Sequence, residues 1–346
     1  MKALVYDGPG RRRWTDRPRP EPTDATDAVV RVDAVTICGT DLHILNGDVP
    51  AVDAGRVLGH EAVGTIVETG SAVTGVKPGD RVLVSCITSC GRCQFCRQGR
   101  YGQCLGGGGW ILGHRIDGVQ AEFARVPFAD TSTHLLPESV SDESALMLAD
   151  ILPTAYEVGV RNGNVDTGDT VVIVGAGPIG LAAITAARLY SPSCVIVVDK
   201  EPARLAAAKQ FGADLAVEPG DAARAAVFGA TEGLGADVAI EAVGVAATFE
   251  LCTTLVRPGG RVANVGVHGK PATLHLEDLW IRDVTITTGL VDTVSTPRLL
   301  RMLAAGRLDT SRFVTHRFGL SEMDGAYDVF THPGDSESLK VALFRA

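Results

Sequence analysis

The segment TVVIVGAGPIG (170–180) constrains this chain more than any other. An apolar run of strand length enters a turn carrying Gly175, Gly177 and Gly180, and a helix-forming pattern follows at once. Each glycine answers a separate demand: the first allows the turn, the second lets backbone approach a pyrophosphate, and the third packs helix against strand. A helix opening with Pro178 and Ile179 turns free N–H groups and the positive end of its dipole toward phosphate. Asp199 closes the next apolar run, where a carboxylate accepts hydrogen bonds from both ribose hydroxyls. A 2′-phosphate would meet its negative charge, so NAD is expected over NADP, with Lys200 offsetting part of that repulsion.

The pattern around this segment is a strand-then-helix alternation, which implies a parallel sheet covered on both faces and wound in two directions. Apolar runs at 170–177, 195–199, 215–219, 237–244, 261–267 and 285–291 are the expected strands. Between them lie helical patterns, one closed by Gly212 and another, AATFELCTTLVRPGG, stopped by Pro258 and Gly259. The first 150 residues differ. VVRVDAVTI, AVGTIVETG and DRVLVSCI are short strands broken by Gly, Pro and Asp, which predicts a mostly antiparallel β domain, and LPESVSDESALML begins a helical link out of it. From about Arg312 the tail returns to that domain with two strands, VTHRFGL and SLKVALFR, around the helix SEMDGAYDVF. The expected domains are therefore 1–150 with 312–346, and 151–311.

Four of the eight cysteines, Cys90, Cys93, Cys96 and Cys104, lie in one glycine-containing run, CGRCQFCRQGRYGQC. MKALVYDGPG lacks the apolar core of an export signal, so this clustering predicts a metal site in place of disulfides. Four thiolates close a tetrahedral zinc shell and leave no position for a substrate, which makes the site structural. Cys86, Cys194 and Cys252 lack such spacing and are expected as small core residues. Upstream, ICGTDLHILNG supplies Cys38, Thr40, Asp41 and His43, and LGHEAVG supplies His60 and Glu61. A thiolate and an imidazole on separate segments form two thirds of an open zinc site whose fourth position is left to water or substrate.

In this order, GTDLH, GHE, the four-cysteine loop and the later glycine fingerprint resemble the zinc-containing medium-chain alcohol dehydrogenases over essentially the whole chain. The resemblance implies an α/β protein with a GroES-like β-rich catalytic domain and a Rossmann domain. It also implies two zinc ions per subunit and reversible hydride transfer between a small primary or secondary alcohol and NAD. It places a third catalytic zinc ligand at the start of the interdomain helix, where this chain has Asp150 in place of the commoner cysteine. That ligand pattern is nearest to bacterial secondary-alcohol dehydrogenases. Glu61 falls beside the metal, as an outer-sphere group that approaches it during ligand exchange. Asp41 either orients His60 or serves an ordinary turn. Thr40 and His43 match a relay that carries the alcohol's proton to solvent. Arg204 falls near the adenosine ribose; Thr154 and the backbone around Val265, Val267, Leu290 and Val291 frame the nicotinamide, and Thr40 with residues near Trp110 and Leu290 borders the substrate. A homotetramer or homodimer is expected.

A formal net charge of −9, with Arg11-Arg12-Arg13 as the longest basic run, gives no surface for nucleic acid or an anionic membrane. That run is expected as a solvated loop. No apolar stretch approaches the roughly 20 residues of a membrane span, so a cytoplasmic protein is expected. The competing readings are a polyol, sugar-alcohol or threonine dehydrogenase of the same family, and a zinc-free quinone reductase or silent binding protein on the same fold.

Overall fold

In a computed structural model, which describes residues 1–345, the apolar runs of the middle region form a six-stranded, all-parallel sheet. Its order is Leu215–Val217, Cys194–Val198, Thr170–Val174, Ala236–Glu241, Val256–Asn264 and Thr285–Thr288. The strand order reverses between Thr170–Val174 and Ala236–Glu241, the switch point beyond whose carboxyl ends such sheets bind ligands. Val172, Val174, Ile196, Val198 and Val262 are buried there with Leu255 from a covering helix. One expected boundary moves: the helix Ala246–Leu255 ends before Pro258 and Gly259, which lie inside the strand Val256–Asn264. Val256 pairs with Ala236, and the register then shifts before Arg261 pairs with Val238, so the proline sits in a bulge that needs no ladder N–H.

This sheet belongs to one of two compact units, Ile151–Val291; the other comprises Met1–Asp150 and the chain from Asp292 onward. The tail therefore rejoins the first unit at Asp292, earlier than the expected Arg312. Its anchors are local: Asp292 Oδ1 accepts the Gly102 N–H at 2.8 Å, and Thr293 Oγ1 lies 2.9 Å from Ser85 Oγ, ahead of the helix Thr296–Ala304. Ala346, the last residue of the expected range, lies outside the described residues.

The main sheet of the first unit runs Val314–Gly319, Lys340–Phe344, Ala28–Thr36, Ala62–Thr69, Arg81–Val84 and Thr133–Leu135, and Phe123–Val126 also pairs with Ala28–Thr36. Only the first pair is parallel. The tail strand Lys340–Phe344 thus bonds directly to one of the earliest strands in the sequence. The arginine run is not a loop: Arg12–Asp16 is a strand paired with Lys2–Tyr6. Arg12 lies 4.7 Å over the Tyr327 ring and pairs with Asp324 and Asp328 at 3.3 and 3.0 Å, so its charge is spent on the C-terminal helix Met323–Thr331. Among the described residues no helix is long and apolar enough to cross a membrane.

Candidate functional site

Cys38 stands at the N-cap of the helix Gly39–Asn46, in extended backbone. The third helical residue, Asp41, reaches back to accept the Cys38 N–H at 2.9 Å, a reciprocal cap that fixes the thiol at the helix entrance. His60 and Glu61 immediately precede the strand Ala62–Thr69, after Gly59 at φ 91°. Asp150 ends the first unit's N-terminal run. These segments converge: one ligand atom from each of Cys38, His60, Glu61 and Asp150 lies within 4.8 Å of the others. His60 Nε2 is 3.3 Å and Cys38 Sγ 3.7 Å from Asp150 Oδ2.

The electrostatics of this cluster suit a cation. Burial pushes the Cys38 thiol up, and the Glu61 carboxylate pushes it further. Burial likewise raises Glu61 to about 7, against the Lys340 charge, and the negative Asp150 adds to the rise. For His60, burial pulls downward, but hydrogen bonding to Asp150 and Cys38 carries it well above the ordinary imidazole value. Several acceptors crowd one small space without enough positive charge among them. Glu61 Oε1 is buried with no hydrogen-bond partner, the kind of orphan that a bound ion satisfies. A thiolate, an imidazole and a carboxylate are accepted zinc donors, and with Zn²⁺ the set sums to neutrality when the imidazole is neutral.

Sequence reasoning missed three residues here. Lys340, read only as a strand residue, is 1% exposed and places Nζ 2.5 Å from Glu61 Oε2 and 2.9 Å from the Ile37 carbonyl. Gln120 and Tyr327 stand behind Asp41. A lysine inside an apolar strand was the available signal for the first; the other two had none. Asp41 stands where both expected roles are open to it. It caps the helix, and its Oδ1 lies 4.0 Å from His60 Nδ1. Thr40 Oγ1 is 3.6 Å from Cys38 Sγ, and His43, with a side chain 45% exposed, holds Nδ1 3.0 Å from Asp48 Oδ2. Trp110 is half-buried and stacks on His114 at 4.2 Å.

Cys90, Cys93, Cys96 and Cys104 also bring their sulfurs within 4.8 Å of one another. The short helix Gln94–Arg97, capped by Cys93, turns the chain between them. Backbone N–H groups already point at sulfur: Cys96 and Leu105 donate to Cys93 Sγ, and Cys90 and Gly106 to Cys104 Sγ, at 3.3–3.4 Å. The first two lower the Cys93 thiol to about 6. A Cβ at Gly106 would stand 2.5 Å from Cys90 Sγ, so the loop closes only with glycine there.

In the second unit, Gly175 has φ 105°, and a Cβ on Gly180 would lie 1.8 Å from the Gly175 carbonyl. At Gly177 a Cβ would meet nothing within 4 Å. Protein packing thus demands the outer two glycines, whereas the middle one leaves space in front of the helix Pro178–Arg188, whose N-cap has no side-chain partner. That is the cradle a pyrophosphate requires. Asp199 is held by two backbone N–H groups, Ala176 on Oδ2 at 2.7 Å and Glu201 on Oδ1 at 2.9 Å. Lys200 is exposed, 3.8 Å from Glu201, and Arg204 is half-buried. Thr154 ends the helix Ile151–Thr154, which continues as the π-helix Ala155–Arg161. Val265 and Val267 follow the strand Val256–Asn264, and Leu290 and Val291 follow Thr285–Thr288; Val291 is buried, while Val267 and Leu290 are 68% and 45% exposed.

An open mixed-ligand centre on a β-rich unit, a closed thiol loop and a dinucleotide cradle on a parallel sheet define the class of zinc dehydrogenases. Residues 24–138 match the alcohol dehydrogenase GroES-like domain, and residues 178–305 match the zinc-binding dehydrogenase domain. An alcohol dehydrogenase of Cupriavidus necator is 37% identical, with 99% of this chain and 98% of that protein covered. The NADP-dependent isopropanol dehydrogenase of Thermoanaerobacter brockii is 35% identical, with 94% and 95% covered. The solved apo form of zinc-dependent alcohol dehydrogenase 2 from Streptococcus pneumonia superposes with a TM-score of 0.95 at 46% identity, covering 100% of this chain and 98% of that one. The chain belongs to the zinc-containing medium-chain alcohol dehydrogenase family.

Proposed function

We infer that the protein is a zinc-dependent alcohol dehydrogenase that oxidises a small primary or secondary alcohol to its aldehyde or ketone, reversibly and with NAD. The convergence of Cys38, His60 and Asp150, with Glu61 in reach, carries this reading. Three ligands on one zinc leave a fourth position for substrate, whereas the four-thiol loop, as a second zinc site, leaves none. Zinc, when bound, supplies Lewis acidity that lets an alcohol held beside it lose its proton near neutral pH, and NAD supplies the hydride acceptor. Thr40 stands next to Cys38 to take up that proton, and His43, partly exposed and braced by Asp48, passes it to water.

Asp199 supports NAD over NADP. Both its oxygens are tied to backbone N–H groups, so the carboxylate cannot swing away from a 2′-phosphate. Exposed Trp280, Ile281 and Leu276 precede the edge strand Thr285–Thr288, an apolar patch of the kind a second copy of the chain covers; this supports a homodimer or homotetramer. Eight free cysteines suit the reducing cytoplasm.

Metal analysis of the purified protein, with primary and secondary alcohols, polyols and threonine each offered with NAD and NADP, tests the reading. We expect two zinc ions per chain and NAD-linked oxidation of a simple alcohol; a zinc-free protein that reduces quinones would overturn it. Replacing His43 with Gln should slow alcohol oxidation about tenfold or more while zinc content stays at two, and an unchanged rate would remove His43 from the relay.

A further inference from the structure

We propose that Gln120 and Tyr327 are positioning residues of the catalytic metal centre: through Asp41 they set which nitrogen of His60 is free to bind metal. The proposal rests on reading Cys38, His60 and Asp150 as zinc ligands. Asp41, Gln120 and Tyr327 are each no more than 1% exposed, so every polar atom among them must find a partner inside the protein. The Tyr327 hydroxyl lies 2.8 Å from Gln120 Oε1, a carbonyl that can only accept, so the tyrosine donates. On its other side the Gln120 amide donates to Asp41 Oδ2 at 3.0 Å and to the Thr36 carbonyl at 3.4 Å. Flipping the amide would set its oxygen against two acceptors, so its orientation is fixed by chemistry.

With Oδ2 taken by Gln120 and by the Cys38 N–H, Asp41 keeps only Oδ1, which has no partner and lies 4.0 Å from His60 Nδ1. A carboxylate oxygen in that position favours an N–H on Nδ1. The Nε2 lone pair then faces Asp150 and Cys38, as a metal ligand requires. Gln120 also positions the His60 backbone. Its own N–H donates to the Leu58 carbonyl at 2.9 Å, and a Cβ on Gly59 would stand 2.5 Å from Gln120 Cγ. The C-terminal helix thus reaches the metal centre through one hydroxyl, on a ring clamped from outside by Arg12.

The test is zinc release from the full-length holoenzyme to a colorimetric chelator. Two phases should appear, and the one missing in Asp150→Ala belongs to the mixed site. Tyr327→Phe keeps the ring and its packing and removes only the hydroxyl; it should speed that phase about tenfold, and Gln120→Met by about 10–100-fold, with release from the four-thiol loop unchanged. Val329→Ala, on the same helix, serves as a control for general loosening and should leave both phases alone. Wild-type release rates in both variants, or equal acceleration of both phases, would overturn the proposal while leaving the zinc assignment standing. A wild-type protein with zinc in the four-thiol loop alone would overturn both.

Discussion

The four thiols of the closed loop come from one stretch, Cys90 to Cys104, and three of them are half-buried, with backbone N–H groups around their sulfurs. Cys38, His60 and Asp150 come from three separate segments and meet, with Cys38 and Asp150 half-buried and His60 buried, where carboxylates outnumber cations. The first arrangement is local and pre-solvated by its own amides, so a metal bound there would chiefly fold a loop. The second exists only once the sheet has formed, and its unbalanced charge suits the cation to which the proposed function gives the chemistry. If the contrast is right, each site can be emptied without emptying the other.

The largest effect is expected from Asp150→Ala. It should leave one zinc per chain, held by the four thiols, and lower alcohol oxidation beyond the roughly 10–100-fold that loss of an outer-sphere partner costs. Two zinc ions in that variant, by metal analysis, would show that Asp150 is not a required ligand. The converse is Cys93→Ser, which removes the thiol that its neighbours' N–H groups hold at about 6. That variant should also keep one zinc, now at the mixed site, and lower the melting temperature by roughly 5 °C or more as the loop loses its cross-link. If it also emptied the mixed site, the two centres would not be independent.

The same contrast explains what the sequence revealed. The closed loop was legible because its ligands are neighbours, and spacing alone fixes their geometry. The glycine turn was legible for the same reason: Gly175 and Gly180 meet steric demands within one turn, and Asp199 comes directly after the next strand, Cys194–Val198. The mixed site was half legible. Cys38 and His60 announced themselves by residue type, but Asp150 came only from resemblance, because a carboxylate at a helix start has many ordinary uses. Gln120 and Tyr327 were invisible, and Lys340 showed only as a lysine inside an apolar strand, since their roles depend on pairings such as Lys340–Phe344 against Ala28–Thr36 that no local pattern encodes. The misplaced return of the tail has a related cause: Asp292 and Thr293 are tied to the first unit by hydrogen bonds to Gly102 and Ser85, and neither leaves a periodic trace.

The smallest effect concerns the strand that supports the closed loop. Thr131 donates a hydroxyl hydrogen bond to the Ser89 carbonyl, and the Ser89 N–H donates to Ser132 Oγ at 3.3 Å, so the segment leading into Thr133–Leu135 anchors the residue before Cys90. His134 lies on that strand, and burial lowers its imidazole to about 4. It is therefore neutral in the folded protein over a range where the unfolded chain, with an ordinary histidine near 6.5, binds a proton. The unfolded state holds the extra proton as pH falls from about 6.5 to about 4, so this residue makes stability decline on acidification across that window. His134→Gln should match the wild type near pH 7.5 and unfold at an acid midpoint lower by roughly half a pH unit, as followed by denaturant titration at several pH values. Parallel stability curves would assign the acid sensitivity to the metal-binding thiolates and carboxylates instead. The contrast between a self-sufficient loop and a centre dependent on the whole fold would then extend to how each fails in acid.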